Sequence, residues 1–154
     1  MSPLRQTRVA MTRLPRGCDL LEELSRTAQA EKIFLAEISG IGALSRASLG
    51  VFLPKEKTYR ANTFSGELEI CSLQGNVSLK EGRPFVHAHL VLSDRRGRAF
   101  GGHLLPGCQV FSAEVAWRVL AGGKLVRVPD EEGSGLFLWP VKHAGRGGRR
   151  NAPS

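Results

Sequence analysis

The sequence predicts an α+β fold: a large, mostly antiparallel β-sheet with one main helix packed on it. Three observations carry that expectation. One segment near the N-terminus places apolar residues at helical spacing, a series of later segments has the length and composition of strands, and no repeat of roughly 20–50 residues or second apolar core interrupts them. At 154 residues the chain has the usual size of one domain and can bury an ordinary core.

Taken in order, the opening RQTRVAMTRL reads as an edge or first strand, ended by Pro15 and Gly17. CDLLEELSRTAQAEK is the helix: Leu20, Leu21, Leu24 and Ala28 recur at helical spacing, and Asp19 with Glu22 forms a capping-box pattern at its start. KIFLAEIS follows as a compact apolar strand, and Gly40 with Gly42 marks a turn into ALSRASLGVFL. TYRANTFS, ELEICSLQGNVSLK, PFVHAHLVLSD, RAFGGHLL, CQVFSAEVAWRVLAG, KLVRV and GLFLWPV all suit β structure, divided by Gly, Pro or Asp signals. Ala113, Val115 and Trp117 read as core by default, and the Leu-Phe-Leu-Trp run at 136–139 as core or subunit contact. The ordered domain is expected over residues 8–140, between a disordered lead of residues 1–7 and a basic, Gly/Arg-rich disordered tail of residues 141–154.

The net charge of +8 raises a nucleic-acid reading, and its distribution limits that reading. Arg5 and Arg8 in residues 1–12, and Lys142, Arg146, Arg149 and Arg150 in residues 141–154, are unopposed, whereas from Arg13 to Pro140 there are 16 basic residues against 14 acidic ones. The body is nearly neutral, so sequence-specific groove reading is not expected of it. The tail suits weak, non-specific contact with nucleic-acid phosphates, or simply solubility. No apolar run approaches the roughly 18 residues of a membrane span, and the opening lacks the apolar centre of a secretory signal, so a soluble cytoplasmic protein without membrane contact is expected. Cys18, Cys71 and Cys108 are odd in number and isolated, which suggests reduced thiols rather than disulfides or a thiolate zinc cluster. The chain has no Walker loop, no Ser/His/Asp order, no CxxC and no HExxH.

What chemistry the chain offers is concentrated in HAHLVLSDRRGRAFGGHLLPG, which holds three of its 4 histidines. On a strand, Val86, Ala88, Leu90 and Leu92 share one face and Phe85, His87, His89 and Val91 the other. A three-residue hairpin loop between Asp94 and Arg98, with Gly97 left-handed, places His103 opposite His89. Cross-strand neighbours stand roughly 4.5–5.5 Å apart, so the three imidazoles can converge. A two-residue loop would instead set Gly102 opposite His89 and turn His103 away. Three neutral imidazoles with an open fourth position form the pattern of a catalytic zinc site, and Gly101 and Gly102 would let a ligand or another backbone come close. The same histidines also suit hydrogen-bonded sheet residues, or a metal-free site using them as acid, base or donor.

The run ELEICSLQGNVSLKEGRPFVHAHLVLSDRRGRAFGGHLLPGCQVFSAEV resembles the PPC domain shared by plants and prokaryotes, and its prokaryotic branch in particular. The likeness extends more weakly to LPRGCDLLEEL and ISGIGALSRASLGVF, and covers about residues 8–140. It implies an α+β subunit that assembles as a homotrimer with a site near subunit boundaries. It also implies a fold similar to acetolactate decarboxylase, which holds zinc with three histidines. On that likeness His87, His89 and His103 would hold zinc or another divalent metal. Glu69 and Glu114 are candidates for general base or extra ligand. If the protein is an enzyme, metal-assisted lyase or hydrolase chemistry is implied, on a small-molecule ligand.

Plant relatives join this domain to AT-hooks, which implies the second function class, a DNA-associated oligomeric regulatory or interaction module. An AT-hook needs Arg-Gly-Arg-Pro for its minor-groove insertion. Here Arg96-Gly97-Arg98 is followed by Ala99, Gly82-Arg83-Pro84 lacks the first arginine, and Arg146-Gly147-Gly148-Arg149 lacks both spacing and proline. Three basic tails on a trimer would still add through multivalency.

Overall fold

The strands form an 8-stranded sheet in the order β1-β6-β2-β5-β4-β3-β7-β8, with β2 also paired to β3. The computed structural model describes residues 3–141. In chain order the elements are β1 (Arg5–Leu14), α1 (Leu20–Ala30), β2 (Ala36–Leu53), β3 (Thr58–Lys80), β4 (Arg83–Asp94), β5 (Ala99–Leu104), β6 (Gln109–Ala121), β7 (Val126–Pro129) and β8 (Phe137–Leu138). Neighbouring strands run antiparallel except for β3 and β7. The expected α+β architecture is the one observed.

Asp19 is the N-cap of α1: its Oδ1 accepts from the Glu22 N–H at 3.0 Å, and its Oδ2 accepts from the Gly107 N–H at 2.6 Å. One carboxylate therefore starts the helix and ties it to the approach of β6. The helix buries Leu20, Leu24 and Ala28 and packs against β4. Burial of each leucine contributes about 1.5–3 kcal/mol. They belong to one buried cluster with Leu44, Leu49, Leu73, Leu90, Leu92, Leu104, Val110 and Trp117. Ala113, Val115 and Trp117 are core, as read, and the Trp117 Nε1–H donates to Thr12 Oγ1 at 2.9 Å, which satisfies the indole inside the apolar layer.

Several boundaries differ from the expectation. β1 spans Arg5–Leu14, the stretch read as the first strand, and so overlaps the lead of residues 1–7; Arg5 and Gln6 find ladder partners in Ala121 and Leu120 of the long β6. The apolar segment after α1 enters the sheet only at Ala36. Lys32 takes a left-handed φ of 52° and the Ile33 N–H bonds back to the Ala28 carbonyl at 2.8 Å, closing the helix first. Gly40 and Gly42 are no turn but lie within one continuous strand of 18 residues. A Cβ at Gly42 would stand 2.2 Å from the Ser112 carbonyl oxygen, and its φ is +147°, so glycine there serves the close approach of β6. TYRANTFS and ELEICSLQGNVSLK likewise fuse into β3, of 23 residues. Of the tail read as disordered and basic over residues 141–154, residues 142–154 lie outside the described residues.

Long bent strands have an architectural consequence. β2 pairs with β3, β3 with β4, β4 with β5, and β5 returns to β2 through Leu49–Leu104 and Gly50–His103, so the four form a closed circuit. Closure leaves no free edge at β5, the strand that carries His103. Among the described residues no helix is long and apolar enough to cross a membrane.

The crowding at Gly42 generates a test. Gly42→Ala is expected to lower stability by about 1–3 kcal/mol through backbone strain alone, with the clash against β6 adding to it. Urea unfolding would show a shifted midpoint at unchanged slope; an unshifted midpoint would mean that β2 and β6 separate freely at this point.

Candidate metal centre

The hairpin between β4 and β5 positions the site. Gly97 has a φ of 73°, the Asp94 N–H bonds to the Arg98 carbonyl at 3.1 Å, and the Gly97 N–H bonds to the Asp94 carbonyl at 2.8 Å. The Asp94 carboxylate accepts from the Arg96 and Arg98 N–H groups at 2.9 and 3.0 Å and pairs with the Arg98 guanidinium, which holds its pKa below the usual carboxylate range. This is the three-residue loop. It sets Ser93 opposite Ala99 and His89 opposite His103.

The alternation along β4 follows: Val86, Ala88, Leu90 and Leu92 are buried, while His87 and His89 share the other face. The three ring centroids form a nearly equilateral triangle, with sides of 5.4, 5.1 and 5.2 Å. One nitrogen from each of His87, His89 and His103 lies within 4.8 Å of the others. His89 is exposed and the other two are partly buried. Burial, first, lowers the pKa of His87 and His103 to about 4; Arg127 and then His89 add to it at His87, and His87, His89 and Arg127 at His103. Both rings are therefore neutral near pH 7, the form that binds a metal. The His103 ring stacks on Tyr59 at 4.5 Å, and its Nδ1 is buried without a hydrogen-bond partner. Such an atom costs about 1–3 kcal/mol, and an ion on it would remove that cost. The donor set, its separation and this orphaned nitrogen fit a divalent ion.

Arg127 of β7 is the unexpected member. It is 6% exposed, with Nε donating to Ser78 Oγ at 3.0 Å, Nη1 to the Phe137 carbonyl at 3.2 Å, and Nη2 to Asn76 Oδ1 at 2.9 Å and His87 Nδ1 at 3.2 Å. A guanidinium only donates, so His87 Nδ1 accepts and its ring proton sits on Nε2. KLVRV reads as a strand with no inward side assigned; the structure buries Arg127 and exposes Val126, and nothing in a segment this short signals which side turns inward.

Of the other candidates, Glu69 and Glu114 are exposed and stand outside the imidazole group. Glu69 pairs with Ser93, four residues from His89 and so about 13 Å along β4. Glu114 lies on β6, three strands from β4, about 14 Å across the sheet. Neither reaches the three rings within one chain. Gly101 and Gly102 allow close backbone approach: a Cβ at Gly101 would meet the Leu90 carbonyl oxygen at 2.5 Å, and one at Gly102 the Gly50 carbonyl oxygen at 2.8 Å. They let β5 fit between β4 and β2.

Comparison with known proteins follows the same lines. Residues 1–120 match the family described as the Plants and Prokaryotes Conserved (PCC) domain. A plant- and prokaryote-conserved (PPC) protein of Pyrococcus horikoshii superposes with a TM-score of 0.88 at 39% identity, over 93% of this chain and 98% of that one. The metal-containing protein AF0104 of Archaeoglobus fulgidus gives 0.84 at 35% identity, over 92% and 99%. Acetolactate decarboxylase of Bacillus subtilis shares the fold alone, with a TM-score of 0.53 at 14% identity over 81% of this chain and 58% of that one. The curated bifunctional protein GlmU of Synechococcus sp. (strain JA-3-3Ab) is 35% identical over 130 residues, 83% of this chain but only 20% of that protein, so the chain spans about a fifth of the length of this relative. With that match over residues 1–120, and a fold shared almost end to end with the Pyrococcus horikoshii protein, the chain belongs to the Plants and Prokaryotes Conserved domain family.

Proposed function

We propose that this domain holds a divalent metal ion, zinc first among the candidates, on His87, His89 and His103, and binds a small ligand beside it. The observation that carries the reading is the convergence of three imidazoles, at least two of them neutral, from two paired strands. A relative at 35% identity described as metal-containing supports it. Three protein ligands leave a position open, where such an ion polarises a carbonyl or acidifies water. Metal-assisted lyase or hydrolase chemistry is the class this arrangement would serve.

We also infer that the domain works as a homotrimer. The outer face of the sheet supports this. Met11, Ala116, Ser39, Gln74, His89 and His103 lie in one cross-strand row, so they point to the same side. Met11 is 77% exposed on that face, Ile41 61% and Val9 58%. A subunit seated there would cover apolar surface that a monomer leaves in water, and would border His89. The alternative, a DNA-associated module, would rest chiefly on the basic tail at 142–154, outside the described residues.

Elemental analysis of natively purified protein should find one divalent metal per chain. His89→Ala, chosen because the residue is exposed, should weaken metal affinity by more than about 100-fold, since losing an outer-shell partner alone costs about 10–100-fold. Metal-free wild type, or full retention in the variant, would refute the centre. The chelated protein should also show a signed pH dependence. His87 and His103 are held from 6.5 down to about 4 in the fold, so the unfolded chain binds more protons between those values. Stability should be full above about pH 6.5 and fall as the pH drops towards 4, measured as thermal midpoints across that window. Light scattering should return the mass of three chains, and Met11→Glu should reduce it.

A further inference from the structure

We infer that the cavity beside the three imidazoles is a recognition site for a small monocarboxylate with an apolar body, and that Arg127 receives the carboxylate. This deepens the metal-and-ligand reading and rests on it for the ion, while the anion site stands on its own observations. A cavity of about 460 Å³ opens next to the cluster, with His87 and His103 on its wall. That is room for a small organic molecule. Phe52, Tyr59, Phe85 and Phe137 give it an aromatic lining. Its charged lining residues are Lys57, Lys80 and Arg127, and no carboxylate faces them there.

Burial separates Arg127 from the other arginines: among the described residues every other arginine is exposed, and Arg8, Arg26, Arg98 and Arg118 pair with Glu31, Glu23, Asp94 and Glu37 at the surface. Arg127 is buried, and the partners found for it are a hydroxyl, an amide oxygen, a backbone carbonyl, an imidazole and, more distantly, the Phe85 and Trp139 rings at 5.4 and 5.1 Å, all uncharged. A buried cation without a counter-ion is held at a cost that an arriving anion offsets. The planar guanidinium suits a planar carboxylate. Lys80 Nζ already lies 3.7 Å over the Phe137 ring and Lys57 is exposed, so these two add field more than direct contact.

Proton counting then links the anion to the ion. A neutral imidazole has one nitrogen lone pair, and in His87 Arg127 takes it. An ion bound through Nδ1 displaces the Arg127 contact. An ion bound through Nε2 moves the ring proton to Nδ1, where it opposes the Arg127 donor. Either way an Nη2–H of Arg127 loses its acceptor as His87 becomes a ligand, and a carboxylate in the cavity replaces it. Ion and carboxylate should therefore strengthen each other's binding.

The probe is benzoate, titrated calorimetrically into the full chain, metal-loaded and chelated, with benzamide as the uncharged isostere and inorganic phosphate as the competing anion. Benzoate is expected to bind the loaded protein about tenfold or more tightly than benzamide does, as befits a charge-assisted hydrogen bond, and more tightly than it binds the chelated protein. Arg127→Gln should abolish the preference over benzamide while metal content stays at one per chain. Should that variant fail to fold, the benzoate, benzamide and phosphate comparison on chelated wild type decides, since no ion is there to take the carboxylate. Equal binding of benzoate and benzamide, or phosphate outcompeting benzoate, overturns the inference even where metal is present. Protein that takes up no metal yet prefers benzoate overturns the metal reading and upholds the Arg127 site.

Discussion

The constraint on which the rest depends is the register of one hairpin. Gly97 in the left-handed region permits a three-residue loop, the Asp94 carboxylate fastens that loop with backbone and guanidinium contacts, and together they set His103 opposite His89. A slip of one residue would turn His103 inward and Leu104 outward, undoing core and cluster at once. The same register serves the core, because Leu90 and Leu92 alternate with the histidines and are buried with Leu104. Hydrophobic burial thus fixes the geometry of the polar face. The cluster needs no dedicated scaffold beyond the sheet itself.

Two kinds of polar group are held in this region at a cost. His87 and His103 are kept neutral, chiefly by burial, and His103 Nδ1 lacks a partner. Arg127 is kept charged without a carboxylate, and burial pulls its pKa down as well. Each cost points the same way. The imidazoles are short of a cation and the guanidinium is short of an anion, so a metal with an anionic ligand would relieve both. Their proximity makes the two deficits one problem, because Arg127 reaches His87 directly. Preset charges of this kind give binding sites their selectivity and leave the empty fold less stable than it could be.

How much of this was readable from the sequence depends on whether the determining contact is local. The helix was, because Asp19 and the spacing of Leu20, Leu24 and Ala28 are local signals. So was the imidazole triangle, because strand alternation and one turn type suffice to derive it. Gly40 and Gly42 were misread as a turn because their reason lies in another strand: the β6 backbone presses where a Cβ would sit. Arg127 was invisible. Nothing in a four-residue strand signals which side turns inward, and only the contacts from Asn76, Ser78 and His87 show that the arginine does. Glu69 and Glu114 lie in the same matching run as the histidines, but strand pairing, which the run does not display, sets them four residues along β4 and three strands across from the imidazole group.

The outer face adds a last step. His89 is the exposed member of the cluster, and it lines a groove with Val9, Ser39, Gln74, Ala116 and Arg118 that runs across the sheet toward β1. On the opposite flank His87 and His103 line the cavity with Arg127. The three imidazoles thus stand between the groove and the cavity. A subunit packed against the groove would restrict the His89 ring, the one most free to leave the triangle, and so favour the arrangement an ion needs.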